Sequence, residues 1–261
     1  MSELASSSLN GIVVHVAQSR AAMGLQAAAG IADEIRACLR KQPGVRIMFA
    51  AAPSQAEMLA ALCREDSIDW TRITAFHMDE YVVLAVNSKQ RFGNWLREAI
   101  FDRLPFASVH LLEAEGDAAQ IAAAYAAKLN EAPIDIVCCG IGVNGHLAFN
   151  DPPCDFDDPL TVRLVDLDAR CRQQQVDDRC FAKLDQVPTQ ALTVTVPALL
   201  ACGAIFCTVP GLSKSDAVRR ALLGPIDAEC PASALRRHPR CTIYLDQYSS
   251  LELRGPVERA T

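Results

Sequence analysis

Residues 134–139 are apolar apart from Asp135, and glycines follow at once, at Gly140, Gly142 and Gly145. This junction constrains the fold more than any other stretch. The run reads as a buried strand. The glycines supply a backbone that turns tightly and lets a ligand approach closely. Asn144, His146, Asn150 and Asp151 are crowded into the next few residues. Polar groups gathered just past the C-terminal end of a buried strand mark where open α/β sheets build their sites. A plain glycine turn with a surface histidine is the simpler alternative. The density of Gly, His, Asn and Asp favours a site.

The rest of the chain repeats the strand-then-helix pattern. Residues 12–17, 45–52, 73–78, 109–112, 191–196, 204–209 and 241–245 read as further strands. Ser19 is placed to cap a helix running to Leu39, and Pro53-Ser54 to open another through Leu62. Helices are also predicted over 90–104, 117–129, 213–223 and, shorter, near 232–237. The alternation predicts an α/β fold with a parallel-rich sheet and helices on both faces. Residues 151–187 are rich in Asp, Arg and Gln with only short apolar runs. They are expected to form a long excursion acting as a lid, since long loops in compact domains are usually functional. No repeat or linker is visible, so residues 1–261 are read as one domain.

Composition excludes several functions. No apolar run is long enough to span a bilayer, and the first ten residues lack the pattern of a signal peptide. A cytoplasmic protein with no membrane partner is expected. The net charge of −6 with no basic stretch argues against nucleic acid. The eleven cysteines include no C-x-x-C pair, so they read as small buried hydrophobes and no metal site is expected.

Two further clusters carry chemistry. His77-Met78-Asp79-Glu80-Tyr81 ends a strand. Alternation along a strand sends Asp79 and Glu80 to opposite faces unless the strand has ended. Asp79 suits a general base, against the plainer reading of Asp79 as a cap and Glu80 as solvated. Pro210-Gly211-Leu212-Ser213-Lys214 follows a strand and precedes a helix, which fits a phosphate site or an ordinary helix cap equally well.

Taken together, residues 76–84, 135–152, 186–200 and 211–251 resemble the glucosamine-6-phosphate deaminase (isomerase) family, related to the 6-phosphogluconolactonases. The resemblance covers most of the chain. The Met78–Tyr81 motif and the Leu147-Ala148-Phe149-Asn150-Asp151 continuation set it apart from lactonases. It implies a Rossmann-like fold and a reaction without metal or cofactor, turning glucosamine 6-phosphate and water into fructose 6-phosphate and ammonia. It implies Asp79 as the base moving a proton between C2 and C1. His146 would open the sugar ring, oriented by Asn144 and Asp151. Ser54, Glu80, Gly145, Lys214 and a lid arginine, Arg172 or Arg179, are the expected substrate contacts. A homo-oligomer is possible.

The chain departs from the family pattern in two places. Asp151 stands where Glu is usual. Ala51-Ala52-Pro53-Ser54 replaces a glycine-rich phosphate turn, keeping only the last hydroxyl. The rival readings are a lactonase or other sugar-phosphate isomerase, and a non-catalytic sugar-phosphate-binding regulator. The retained Asp79 and His146 speak against the regulator, because a sensor needs no proton-transfer pair.

Overall fold

Every residue of the central strand Ile136–Cys139 (β7) is buried, and its side chains feed two separate cores. Ile136 and Cys138 join one apolar cluster, and Val137 and Cys139 the other. A strand buried on both faces needs helices on both faces. On the first side lie Arg20–Leu39 (α1) and Ala56–Leu62 (α2), whose Ile31, Ile35, Met58 and Leu62 pack against Ile47 and Phe49. On the second lie Ala118–Leu129 (α4) and Ser215–Leu223 (α7), whose Ala122, Leu129, Val218 and Leu222 face Val137 and Ile205. This computed structural model describes residues 5–113 and 116–253.

The main sheet has eight strands. Besides β7 they are Ala5–Leu9 (β1), Ile12–Ala17 (β2), Val45–Phe49 (β3), Ile73–His77 (β4), Ser108–His110 (β6), Ala204–Val209 (β10) and Cys241–Asp246 (β11). Their order is β1-β2-β11-β10-β7-β3-β4-β6. All neighbours are parallel except β1 and β2, an antiparallel hairpin turning at Asn10-Gly11. The chain leaves β3 toward β4 and leaves β7 toward β10, in opposite directions across the sheet. The crevice between the carboxyl ends of β3 and β7 is therefore a topological switch point, where such sheets bind ligands.

The cap expected at Ser19 is met, as it accepts a hydrogen bond from Ala22 N at 3.1 Å. Asp117 caps α4 in the same way, accepting from Gln120 N at 2.9 Å. The helix expected over 90–104 begins as Phe92–Leu96 (α3) and then widens into a π-helical turn, Arg97–Phe101. The wider turn leaves the successive residues Ile100 and Phe101 both buried.

Three expectations need correction. Asp79–Tyr81 (β5) does not simply trail off β4; it opens a second, antiparallel sheet of order β5-β9-β8. The strand expected over 191–196 is Gln190–Val194 (β9) and belongs to this small sheet. It stops because Thr195 caps a short helix, Val196–Leu200 (α6), by accepting from Ala198 N. The lid is also more ordered than its composition suggests. It contains Val162–Asp166 (β8) and Ala169–Asp177 (α5). β8 is an edge strand bearing Arg163 and Asp166, so its apolar pattern was too short to read. α5 starts where Asp168 accepts from Cys171 N at 3.4 Å.

Candidate active site

Four parallel strands deliver their C-terminal ends to one cavity. β3 leads to Ser54 and Gln55, β4 to Asp79, β7 to Gly140 and Gly142, and β10 to Lys214. α5 roofs it with Gln174 and Gln175, leaving about 60 Å³ for water-sized occupants.

Asp79 faces this cavity and is 5% exposed. It sits opposite Thr193 in the β5–β9 ladder, which fixes its backbone. Burial, and then the neighbouring charge of Glu80, push its pKa well above the ordinary carboxylate value. The side chain of Glu80 goes elsewhere, as alternation along β5 requires. It accepts from Tyr81 N and Phe92 N, both at 3.0 Å, and from Gly93 N at 2.9 Å, and lies 3.6 Å from Arg91. Glu80, expected among the substrate contacts, is therefore absorbed in anchoring the start of α3 and lies off the cavity lining. His77 is likewise structural: its Nε2 accepts from Leu112 N at 2.7 Å. Burial, with the Arg91 charge, lowers its pKa to about 3, so it stays neutral.

The loop after β7 forms the second part. Gly145 has φ +94°, and a Cβ there would lie 2.9 Å from Cys230 Sγ, so only glycine fits. Its role is thus in the backbone, off the cavity lining. At Gly142 a Cβ would collide with the His146 ring, which lies directly against the backbone. His146 Nδ1 is 3.2 Å from Asp151 Oδ1, but off the line of a well-formed hydrogen bond. Asn144 ties the group together: its Nδ2 donates to Asp151 Oδ1 at 2.9 Å, and its Oδ1 accepts from His146 N at 3.1 Å. Asp168 N donates to the other Asp151 oxygen at 2.9 Å. Burial opposes ionisation of Asp151, yet the His146 contact and the Asn144 and Asp168 donors outweigh it and hold its pKa low. The structure thus brings these three expected residues together, and the backbone at Asp168 is a fourth partner.

The third part is suited to an anion. Lys214 is 6% exposed, and no carboxylate lies within ion-pair distance of it among the described residues. Burial lowers its pKa from 10.5 to about 8. A buried, unpartnered ammonium is costly unless a ligand supplies the counter-charge. Ser54 lines the same cavity, and its Oγ accepts from Gln55 Nε2 at 3.2 Å. Gln55, fully buried, also donates to Thr208 O at 3.1 Å and accepts from Thr208 Oγ1 at 2.6 Å. It clamps the loop after β3 to β10. Gln55 was missed because a glutamine near a helix start carries no distinctive pattern. The same holds for Gln174, whose Oε1 accepts from Val143 N at 2.9 Å and ties the roof to the β7 loop.

The two lid arginines part company. Arg172 donates to Leu184 O and Val187 O, each at 2.8 Å, and so staples the lid to its own exit, off the cavity lining. Arg179, at φ +61°, lines an adjoining pocket of about 340 Å³ with Lys89. That pocket shares Ala51, Ala52 and Phe92 with the cavity.

Known proteins resemble this chain in sequence and in fold. The sequence model of the family described as glucosamine-6-phosphate isomerases/6-phosphogluconolactonase matches residues 18–151. A glucosamine-6-phosphate deaminase of Listeria monocytogenes serotype 4a is 34% identical over 203 residues, 77% of this chain and 85% of that protein. One from Bacillus cereus is 33% identical over 185 residues, 70% of this chain and 69% of its own. A solved monomeric glucosamine-6-phosphate deaminase superposes with a TM-score of 0.85 at 26% identity, covering 92% of this chain and 99% of that one. A putative 6-phosphogluconolactonase from Neisseria gonorrhoeae shares the fold, with a TM-score of 0.71 at 17% identity over 90% of this chain and all of its own.

Proposed function

The chain belongs to the glucosamine-6-phosphate isomerase/6-phosphogluconolactonase family, and from that premise we propose that it is a glucosamine-6-phosphate deaminase. The observation that carries the reading is one cavity lined by both a buried carboxylate of raised pKa and a buried ammonium with no ion-pair partner among the described residues. The first is what proton abstraction from carbon needs, and the second is what a phosphate ester needs.

In this reading Lys214 and Ser54 hold the phosphate, with Arg179 reaching in from the adjoining pocket. His146, held by Asp151 and Asn144, transfers a proton at the ring oxygen and opens the sugar. Asp79 then removes the proton from C2, giving an enolamine, and returns it to C1, giving an imine at C2. Water adds there and ammonia leaves, giving fructose 6-phosphate. The cavity under α5 shares Ala51, Ala52 and Phe92 with the pocket that Arg179 lines, and the substrate would lie across the two. We read the enzyme as intracellular, where such a charged ester is retained because it does not cross membranes unaided. No described helix is long and apolar enough to cross a membrane.

The test is direct. Purified protein is incubated with glucosamine 6-phosphate, and ammonia and fructose 6-phosphate are both measured. Equimolar release of the two is expected. Absence of both, with hydrolysis of 6-phosphogluconolactone instead, would overturn the reading.

A further inference from the structure

Cys171 plays no part in the chemistry above. It lies in α5, in the roof, with no solvent exposure. Its Sγ, a ring nitrogen of His146 and a carboxylate oxygen of Asp151 all lie within 4.8 Å of one another. His146 is 8% exposed, and its Nδ1 is buried without a well-aligned hydrogen-bond partner. We propose that His146, Asp151 and Cys171 form a binding site for a thiophilic divalent cation of the Zn²⁺ type, and that its occupancy inhibits the enzyme by fastening the roof to the loop after β7.

The donor set is the first argument. One nitrogen, one oxygen and one sulfur suit zinc, whereas the thiolate disfavours Mg²⁺ and Ca²⁺. Geometry is the second. Bonds of about 2.0–2.3 Å in a tetrahedral site place neighbouring ligand atoms about 3.5 Å apart. The His146–Asp151 pair, at 3.2 Å, already meets this. The remaining gaps close with an inward shift of α5 of about 1 Å, leaving a fourth position for water. Charge is the third. Cys171 gives up its thiol proton to solvent as the S–metal bond forms. The thiolate and the Asp151 carboxylate then neutralise the dication, so no net charge is buried. Inhibition follows from the structure. Asp151 and His146 become ligands and no longer serve the substrate, and the roof is tied to them.

Two measurements test this. Co²⁺ is added first, because a thiolate–cobalt bond gives a charge-transfer band that needs no substrate. The band is expected in the wild type, absent in Cys171→Ala and weakened in His146→Gln. Zn²⁺ is then titrated against turnover of glucosamine 6-phosphate. Even outer-shell partners are worth about 10–100-fold in metal affinity. Losing the thiolate should therefore weaken inhibition by at least about a hundredfold, with basal activity kept and wild-type inhibition reversed by EDTA. Should Cys171→Ala fold poorly, Cys171→Val preserves the packing and carries the same expectation. No cobalt band in the wild type, or equal Zn²⁺ inhibition of wild type and variant, would overturn the proposal. In the second case the ion would act through another of the eleven cysteines. Failure of the assigned reaction leaves the cobalt measurement intact, so the two conclusions can fail separately.

Discussion

Replacing Lys214 with Met should make the free protein more stable and the enzyme worse. In the fold the Lys214 ammonium is buried and its pKa falls from 10.5 to about 8. The cause is desolvation, so the folded state disfavours the charge that the unfolded chain carries freely. At about 1.36 kcal/mol per pH unit, that difference costs the folded protein on the order of 3 kcal/mol below pH 8. The sign follows from proton counting. Between pH 8 and 10.5 the unfolded chain binds more protons than the native one, so the penalty is relieved as pH rises through that window. Methionine fills a similar volume without charge. The Tm of Lys214→Met near pH 7 should therefore exceed wild type by several degrees, at about 2–4 °C per kcal/mol, and the gap should narrow above pH 8. Binding moves the other way. A charge-assisted hydrogen bond is worth about 1.5–3 kcal/mol, so KM for the sugar phosphate should rise roughly ten- to a hundredfold. Calorimetry across pH, together with steady-state kinetics, checks both halves. A lower Tm at pH 7 would refute the desolvation argument. An unchanged KM would remove Lys214 from the phosphate site.

Asp79→Asn keeps the shape but cannot take a proton, so kcat should fall by at least about 10²–10⁴-fold with no loss of Tm. Because burial raises the Asp79 pKa, wild-type kcat/KM should fall with acidity from a higher pH than an ordinary carboxylate would allow, and a pH–rate profile reads this. Glu80→Gln should instead destabilise the fold by about 3–5 kcal/mol, measured by denaturant unfolding, since Arg91 would lose its buried counter-charge. Asp151→Glu is expected to lower activity. The shorter acid already meets His146, Asn144 and the Asp168 backbone, and an added methylene would displace all three contacts. A faster Asp151→Glu enzyme in a coupled ammonia assay would contradict that geometry.

Local chemistry in the sequence was enough to identify the strand ending at Cys139, the cap at Ser19, and the crowding of Asn144, His146 and Asp151 past a strand. Each depends on residues near one another in the chain, where periodicity and turn chemistry act directly. Tertiary structure decided which side chains face the cavity. Asp79 and Glu80 are adjacent in sequence, yet β5 pairs with β9 and turns one into the cavity and the other onto the α3 backbone. Arg172 and Arg179 were equivalent candidates until the lid carbonyls of Leu184 and Val187 engaged Arg172. Gln55 acquires its role only from Thr208, 153 positions away in the chain. Lys214 is unusual only because four strand ends bury it in the cavity that Asp79 also lines, with no ion-pair partner among the described residues. Burial and counter-charge are properties of the packed molecule, and a linear pattern of residue types does not contain them.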